Sequence, residues 1–426
     1  MATHEAQPSR QTGAILQIVL QQAEEAATLR EARTVLLNSK HIKLRQLSRC
    51  DDRLAAYLDG LLLAGNLGGA ACERQLERVG AGSVFAAGVW ALESARLDHL
   101  DRLLSLSEVI PAARRGLISA FGWVDATRLR GLVARLLASN RAIHRIVGLA
   151  ACDLHRADPG RGLLQLLGGG SALRARALRT IGELGQVDAL SQCIEALDAK
   201  DHDGRFWAAW SAVLLGERTR ALAALIGIGR IEGPLRSRAF CLTMQLLNRE
   251  AIREVLLPLA RDGTSTRWAI IGAGISGDPT YVTWLIGLMG DEKLSRAAGE
   301  AFSLITGADL VLLNLERRAP EGVESGPNDD PSNPDVELDP DDGLPWPDPA
   351  RVQAWWGGNG ARFAAGNRYF VGEPLGREHC IEVLKSGYQR QRVLAAHYLC
   401  LLEPGTVLFN TSAPAWRQQQ QLAAMS

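Results

Sequence analysis

Small and hydrophobic residues recur along the middle of the chain with a period of 30 to 31 positions. The small residues at the centre of the pattern are Ala177, Ala208, Ala239, Ala269 and Gly299, spaced by 31, 31, 30 and 30 residues. Around each centre, apolar residues follow the i, i+3, i+4, i+7 spacing of one buried helix face. A second apolar-periodic stretch follows each segment. The pattern therefore predicts an all-α chain, an α-solenoid of stacked helical hairpins.

Glycine follows the central position by eight residues in four of these five repeats. The four residues are Gly185, Gly216, Gly277 and Gly307. Glycine adopts the left-handed backbone conformation without steric cost and commonly ends α-helices. We therefore expect each of these glycines to end the first helix of its repeat.

Arginine stands three residues before most of the repeat centres. The series is Arg174, Arg205, Arg236 and Arg296, with Arg267 displaced by one position. Such a ladder can bind carboxylates or helix-end carbonyls between repeats, or it can form an anion-binding face. We favour the structural ladder and keep the anion-binding face as the alternative.

The repeat pattern and the composition divide the chain into four regions. We predict an N-terminal helical cap over 1–49, the HEAT-like, armadillo-type solenoid over 50–319, a linker over 320–349 and a C-terminal module over 350–426. The linker contains ten acidic residues, eight prolines and no Lys or Arg. It cannot bury enough apolar surface to fold alone, so we expect a flexible acidic linker.

The C-terminal module is rich in aromatic residues in a chain that is only 5% aromatic. Tyr, Trp and Arg are the residues that most often anchor protein interfaces. The module also contains a repeat-like hairpin. The alternative interpretation is therefore that its polar residues are solvated side chains at the start of a helix and do not bind a partner. The hypothetical partner-binding residues are Trp355, Trp356, Arg368, Tyr369, Tyr388, Gln389, Arg390 and Arg392.

One motif suggests a nucleotide cofactor and is better explained by the repeat. Gly272, Gly274 and Gly277 satisfy G-x-G-x-x-G, which in dinucleotide-binding proteins follows a strand and continues into a helix. Here Asp278 and Pro279 follow the third glycine directly, and Gly277 is in phase with the other repeat glycines. We therefore predict a repeat helix and no bound cofactor.

Charge and cysteine usage exclude several classes of function. Lys plus Arg and Asp plus Glu number 47 each, so no global field attracts nucleic acid or an anionic membrane. The seven cysteines form no CxxC pair, and the first thirteen residues contain no apolar stretch of a secretory signal. We expect a cytoplasmic protein without a metal site, catalytic residues or membrane contact, in an oligomeric state that the sequence leaves open.

Three groups of residues resemble a known family. These are RLAAYLDGLLLAG near the start, the 31-residue repeats, and the C-terminal stretches GNRYFVGEP, GYQRQRVLAAHYLCLLEPG and APAWRQ. They resemble uncharacterised proteobacterial proteins with HEAT-like repeats, which are often encoded among type VI secretion genes. The resemblance covers nearly the full length and implies a fold and a setting, without catalytic residues.

We therefore expect a non-enzymatic scaffold or adaptor that binds another protein, as an accessory to effector loading or assembly in type VI secretion. The alternative is a HEAT-repeat enzyme or chaperone-lyase, because the repeats are also similar to those of phycobilisome bilin lyases. A polar pocket would favour the enzyme, whereas a broad aromatic and Arg-rich surface would favour the adaptor.

Overall fold

The computed structural model describes residues 15–321 and 339–425. Nearly all of its regular structure is α-helical, which confirms the all-α repeat fold. The described chain forms two compact units. The first contains the residues up to Leu37, Arg45–Arg161 and Ser412–Arg417; the second contains Asn38–Leu44, the described residues of Gly162–Thr411, and those from Gln418 onward. No described helix is both long and apolar enough to cross a membrane.

The first unit consists of eight α-helices that pack as consecutive antiparallel pairs. They are α1 (Leu16–Asn38), α2 (Leu44–Leu63), α3 (Asn66–Gln75), α4 (Ala81–Glu93), α5 (Leu97–Val109), α6 (Pro111–Trp123), α7 (Leu132–Leu137) and α8 (Ala142–His155). Helix α4 lies in the core, and every residue from Ala81 to Leu92 is buried. It packs closely against α6 because both helices carry small residues at the contact: a Cβ on Gly116 would lie 2.3 Å from the carbonyl oxygen of Ala81.

The second unit continues the pattern of helix pairs. Its repeat helices are α9 (Ser171–Glu183), α10 (Leu190–Glu195), α11 (His202–Leu214), α12 (Arg220–Gly229), α13 (Arg236–Leu246), α14 (Arg249–Arg261), α15 (Thr266–Ser276), α16 (Val282–Leu288) and α17 (Ser295–Thr306). Toward the C-terminus follow α18 (Pro349–Asn359), α19 (Arg377–Ser386), α20 (Gln389–Leu402) and α21 (Ala415–Ala423), the last of which includes the unit boundary at residue 418. Single 3₁₀ turns occupy Ala126–Leu129, Leu164–Gly168, Val187–Ala189, Ala196–Asp198, Pro279–Tyr281 and Gly360–Arg362.

The predicted repeat centres are buried in the first helices of the repeats. Ala177, Ala208, Ala239 and Ala269 are completely buried in α9, α11, α13 and α15, and Gly299 is buried in α17. The supposed nucleotide motif lies inside α15, where a Cβ on Gly274 would come within 2.8 Å of the Cα of Ala301 in α17. Its glycines therefore serve helix packing.

The predicted helix-ending glycines are confirmed. Gly185, Gly216, Gly277 and Gly307 have φ values of 65°, 105°, 67° and 70°, in the left-handed region that favours glycine. Each follows the first helix of its repeat, and the Gly277 N–H donates to the carbonyl of Gly274 to close the last turn of α15.

The arginine ladder has mainly structural partners. Arg174 donates to the carbonyls of Leu167 and Gly169, which end the preceding repeat. Arg236 pairs with Glu232 and stacks 4.4 Å from the Trp268 ring centre. Arg267 pairs with Asp341 and Arg296 pairs with Asp339, whereas Arg205 is exposed. These contacts support the structural ladder over the anion-binding face.

Residues 322–338 of the predicted linker lie outside the described residues, and its last part is folded. Asp341 is 2% exposed and pairs with Arg267 and with Lys40, at 2.9 Å from the Lys40 Nζ. Burial alone would raise the pKa of the Asp341 carboxyl, but the two cations lower it below its usual value. Arg296 pairs with Asp339 and stacks on Trp346. The flexible linker prediction is therefore wrong for residues 339–349, because the arginine ladder binds their acidic side chains.

Two short antiparallel strand pairs complete the second unit. Strand β1 (Glu316–Arg317) pairs with β2 (Trp346–Pro347), and β3 (Tyr369–Phe370) pairs with β4 (Glu373–Pro374). Both β2 and β3 contact α17, the first helix of the last repeat. The strands thus attach the polypeptide that follows the repeats to the end of the helix stack.

Candidate protein-binding surface

The repeats of the second unit have two sides that differ in what covers them. The first-helix side is formed by α9, α11, α13, α15 and α17, and the second-helix side by α10, α12, α14 and α16. We call residues 368–411 the C-terminal segment. Helix α20 of this segment packs against α11 and α13, on the first-helix side.

The backbone of the C-terminal segment is hydrogen-bonded to the ends of the first helices. The Tyr369 N–H donates to the carbonyl of Gly277 at 2.8 Å, and the Val371 N–H donates to Leu304 at 2.7 Å. The Leu408 N–H donates to Glu183 at 2.9 Å. The last carbonyls of an α-helix have no partner within the helix, so the segment satisfies groups that would otherwise need water.

The phased glycines make this close approach possible. A Cβ on Gly277 would lie 2.1 Å from the carbonyl oxygen of Tyr369, and one on Gly185 would lie 2.2 Å from that of Gly405. A Cβ on Gly307 would lie 2.6 Å from the carbonyl oxygen of Val371. Glycine at these positions therefore ends the helix and also admits the backbone of the C-terminal segment.

Side chains of α20 fill the space beside the first helices. The Tyr398 hydroxyl donates to the carbonyl of Ile275 at 3.2 Å, and the ring of His397 lies edge-on to Trp210 with 5.0 Å between ring centres. The Gln245 Nε2 donates to the carbonyl of Leu394 at 3.0 Å. Burial, together with the charge of Arg238, lowers the pKa of His397 to about 4. His397 is therefore neutral at physiological pH.

Two of the predicted partner-binding residues lie in the interior of the second unit. Arg392 is completely buried and donates to the Leu384 carbonyl at 2.7 Å, to Gln389 at 2.8 Å and to Gln418. Burial lowers the pKa of Arg392 to about 10. Gln389, which is 3% exposed, donates to the carbonyl of Thr411. These two side chains hold the segment together and cannot reach a partner in this fold.

Three more of the predicted residues make internal contacts at the start of the segment and in α18. Arg368 donates to the carbonyls that end α13, Gln245 and Leu247. Tyr369 is buried, and its hydroxyl accepts from the Ala364 N–H at 2.9 Å. Trp355 packs edge-on against Phe302 of α17.

Trp356, Tyr388 and Arg390 are half-buried and also have partners within the second unit. Trp356 packs against Phe363, and the Tyr388 hydroxyl donates to Asp309 at 3.0 Å. Arg390 pairs with Glu300 of α17. All eight predicted partner-binding residues thus have contacts within the second unit. Tyr369, Gln389 and Arg392 are too deeply buried to bind a partner, whereas the hypothesis for the five half-buried residues stays a prediction.

A cavity of about 410 Å³ lies where this attachment is made, and its charged side chains have partners within the second unit. It is bordered by Lys40, Lys43, Glu300, Asp309 and Tyr388. Lys40 lies 3.7 Å from Glu300, and the Lys43 Nζ lies 4.6 Å from the Tyr388 ring centre. Every one of these polar groups has a partner from another part of the second unit, which indicates a structural role for the cluster.

The second-helix side carries a different feature, a groove of about 620 Å³ between α14 and α16. We call it the α14 groove. It is lined by Arg249, Glu250, Arg253, Leu256, Leu257, Ala260, Thr280, Tyr281 and Trp284. None of these residues belongs to the C-terminal segment. Leu257 is 42% exposed, and Tyr281 and Trp284 are half-buried. The groove thus combines apolar surface, two aromatic side chains and arginine.

Local hydrogen bonds fix the walls of the α14 groove. The side chain of Asn248 accepts from the Ala251 N–H at 2.9 Å and caps the start of α14. Asp278 caps the following turn by accepting from the Thr280 N–H at 2.9 Å, and it pairs with Arg249 at 2.9 Å. Arg249 and Asp278 therefore connect the two walls.

The electrostatics of the groove leave one cation, Arg253, and one carboxylate, Glu250, without an ion pair among the described residues. Arg253 is exposed and forms no ion pair with any residue that the structure describes. Burial and the Asp278 carboxylate raise the pKa of Tyr281, so its hydroxyl stays protonated and can donate a hydrogen bond. A matching partner surface would supply an apolar side chain and a carboxylate.

The α14 groove was not among the binding sites predicted from the sequence. The signal was present in DPTYVTW, residues 278–284, where two aromatic residues stand three positions apart in a second helix. It was also present in the i, i+4 pair Arg249 and Arg253. The larger number of aromatic residues after the repeats directed the prediction to the C-terminal module instead.

Comparison of the chain with protein-family models, with curated proteins and with solved structures finds no match. Among residues 15–321 and 339–425, no group of three or more His, Cys, Asp and Glu side chains is arranged to bind a metal ion. The assignment of function therefore depends on the surface itself.

Proposed function

We propose that the protein is a non-enzymatic scaffold that binds another protein in the α14 groove. The observation that carries the proposal is the open groove with Arg253, Tyr281 and Trp284 on the second-helix side. Aromatic residues and arginine dominate the binding energy of protein interfaces because they bury large rigid surfaces and still form hydrogen bonds.

The covered first-helix side supports the same choice. The C-terminal segment already uses the helix ends and the inner side chains of α11, α13 and α15, through backbone and side-chain hydrogen bonds. A partner on that side would first have to displace these contacts. On the second-helix side, a partner gains contacts without this cost.

The proposed partner presents an apolar side chain next to a carboxylate. The apolar group packs on Trp284 and Leu257, and the carboxylate pairs with Arg253. In the setting that the family resemblance implies, the partner is a type VI secretion effector or a spike-associated component. The site needs no cofactor for this role.

The test is purification of the tagged full-length protein from its native cell, followed by titration of the recovered partner against purified variants. We expect Arg253→Glu to weaken binding at least about tenfold, because it places a like charge opposite the partner carboxylate. Arg261→Glu is the matched control, since Arg261 is an exposed arginine of the same helix outside the groove. Trp356→Ala, in the previously predicted patch, should leave the affinity unchanged.

Two results would contradict the proposal. The first is equal binding by the Arg253→Glu and Arg261→Glu variants. The second is a partner lost with Trp356→Ala and retained with Arg253→Glu, which would return the interface to the C-terminal region.

A further inference from the structure

A second cavity lies on the opposite face of α14 from the groove. It has a volume of about 380 Å³ and is enclosed by α12, α13 and α14; we call it the α12–α14 cavity. Its α14 residues are Glu254, Val255, Pro258 and Leu259, whereas the groove uses Arg253, Leu257 and their neighbours. At 100° per residue these two sets point in opposite directions. The cavity is therefore separate from the proposed protein-binding surface.

Most of the cavity wall is apolar. Its apolar residues are Ile226, Phe240, Met244, Val255, Pro258 and Leu259. Small-molecule sites have volumes of roughly 300 to 1,000 Å³ and combine such a lining with a few polar groups that orient the ligand. The α12–α14 cavity falls at the lower end of that range. A ligand of about ten to fifteen non-hydrogen atoms suits this volume.

Thr243 supplies an unsatisfied polar group in the wall. The residue is 3% exposed, and its hydroxyl Oγ1 is shielded from solvent without a hydrogen-bond partner among the described residues. A buried hydroxyl without a partner is destabilising, because it has lost its hydrogen bonds to water. Threonine in a helix divides between two χ1 rotamers, so a rotation about this bond can move the hydroxyl to a second position. The hydroxyl can thus turn toward a ligand.

Arg236 supplies a second unsatisfied group, and this one is only a donor. Its guanidinium pairs with Glu232 and stacks on Trp268, but its Nε is buried without a hydrogen-bond partner among the described residues. An arginine Nε–H can be satisfied only by an acceptor. A ligand that satisfies this group must carry an acceptor such as a carbonyl or carboxylate oxygen.

The charge at the rim favours the same ligand class. Arg230 lines the cavity, is exposed and forms no ion pair within the described parts of the chain. Arg236 is already paired with Glu232, so Arg230 is the cation of the lining that can pair with a ligand, beside the single carboxylate of Glu254. We propose that the α12–α14 cavity binds a small molecule with an apolar body and a carbonyl-type acceptor group, which bonds to Thr243 and lies near the two arginines.

The test uses three small probes whose apolar chains are nearly the same. Isothermal titration of the full-length protein compares decanoate, its neutral isomer methyl nonanoate, and decylamine, whose charged head group only donates. We expect decanoate to bind at least about tenfold more tightly than decylamine, because it supplies the acceptor that the wall lacks. Methyl nonanoate shows whether the acceptor needs its charge. Equal or tighter binding of decylamine would overturn the proposal. So would the absence of binding by both decanoate and methyl nonanoate.

A pair of matched variants tests the role of the Thr243 hydroxyl. Thr243→Val keeps the shape of the side chain and removes the unsatisfied group. We expect it to raise the thermal midpoint of the ligand-free protein and to lower the affinity for the better-bound acceptor probe roughly fivefold. The control is Thr180→Val in α9, since Thr180 is equally buried but its hydroxyl donates to the Arg176 carbonyl at 2.9 Å. That variant should not gain stability and should bind the probe like wild type.

A Thr243→Val variant that binds the probe as tightly as wild type would overturn the assignment of Thr243 as an anchor. These results do not depend on the protein partner. Neither Thr243 nor Thr180 lines the α14 groove, so failure of the cavity proposal leaves the proposed scaffold function unaffected.

Discussion

The two sides of the second unit are built from the same repeats but differ in their chemistry. On the first-helix side, Trp210 is 5% exposed and packs against His397 of the C-terminal segment. On the second-helix side, Trp284 is half-buried and faces an open groove. The difference shows that an abundance of aromatic residues does not by itself indicate an exposed surface, because contacts within the unit can cover them.

The largest expected effect separates these two tryptophans. We expect Trp210→Ala to lower the free energy of unfolding by about 4 kcal/mol, because it leaves a cavity in the core beside α20. Trp284→Ala should cost less than about 2 kcal/mol, since half of the ring is already in contact with water. Urea denaturation of both variants checks this. Similar losses for the two variants would show that the two sides do not differ in the way described.

A somewhat smaller effect is expected where the C-terminal segment crosses a helix end. Gly277→Ala introduces a Cβ that would lie 2.1 Å from the carbonyl oxygen of Tyr369, in addition to the cost of a left-handed alanine. We expect a loss of about 3 kcal/mol in the free energy of unfolding. Gly131→Ala is the control, because Gly131 has a φ of 72° with no atom within 4 Å of the added Cβ. That variant should lose only about 1 kcal/mol.

Equal losses at Gly277 and Gly131 would mean that Gly277 has only the conformational role that any helix-ending glycine has. The close backbone approach of the C-terminal segment would then contribute nothing to stability.

The smallest of the three effects depends on pH. His397 has a folded-state pKa of about 4 against an ordinary value of 6.5, because it is buried beside Arg238, while Glu183 opposes the shift. Between these two values the unfolded chain binds the proton and the folded chain does not. Stability therefore falls as the pH decreases from 6.5 to about 4, and the loss between pH 7 and pH 4.5 is about 2 kcal/mol.

The pH effect is measured by comparing wild type with His397→Gln, whose side chain does not titrate. The free energy of unfolding of wild type should fall more than that of the variant when the pH is lowered from 7 to 4.5. Parallel pH profiles would show that His397 remains accessible to protons in the folded protein.

The repeat fold could be predicted from the sequence because its determinants are local. Ala208 and Gly216 act within one helix hairpin, and their period repeats the same contact several times along the chain. The helix ends at Gly277 and Gly307 were predicted for the same reason, since the left-handed conformation is a property of the residue itself.

The covered side could not be predicted, since it depends on contacts between residues far apart in the chain. Arginine is a residue type that often anchors interfaces. Only the fold shows that Arg392 donates hydrogen bonds to Leu384, Gln389 and Gln418. Asp341 stands in an acidic, proline-rich stretch that appeared unable to fold, yet Arg267 and Lys40 bind it. Neither pairing leaves a periodic signal.

Hydrogen–deuterium exchange of the backbone amides tests the central claim most directly. If the C-terminal segment covers the first-helix side, the N–H groups of Tyr369, Val371 and Leu408 are bonded to helix-end carbonyls. We predict that these amides exchange slowly, at rates similar to those in the last turns of α15 and α17. Exchange at the rate of an unprotected peptide would contradict the claim, because the first-helix side would then be open to a partner.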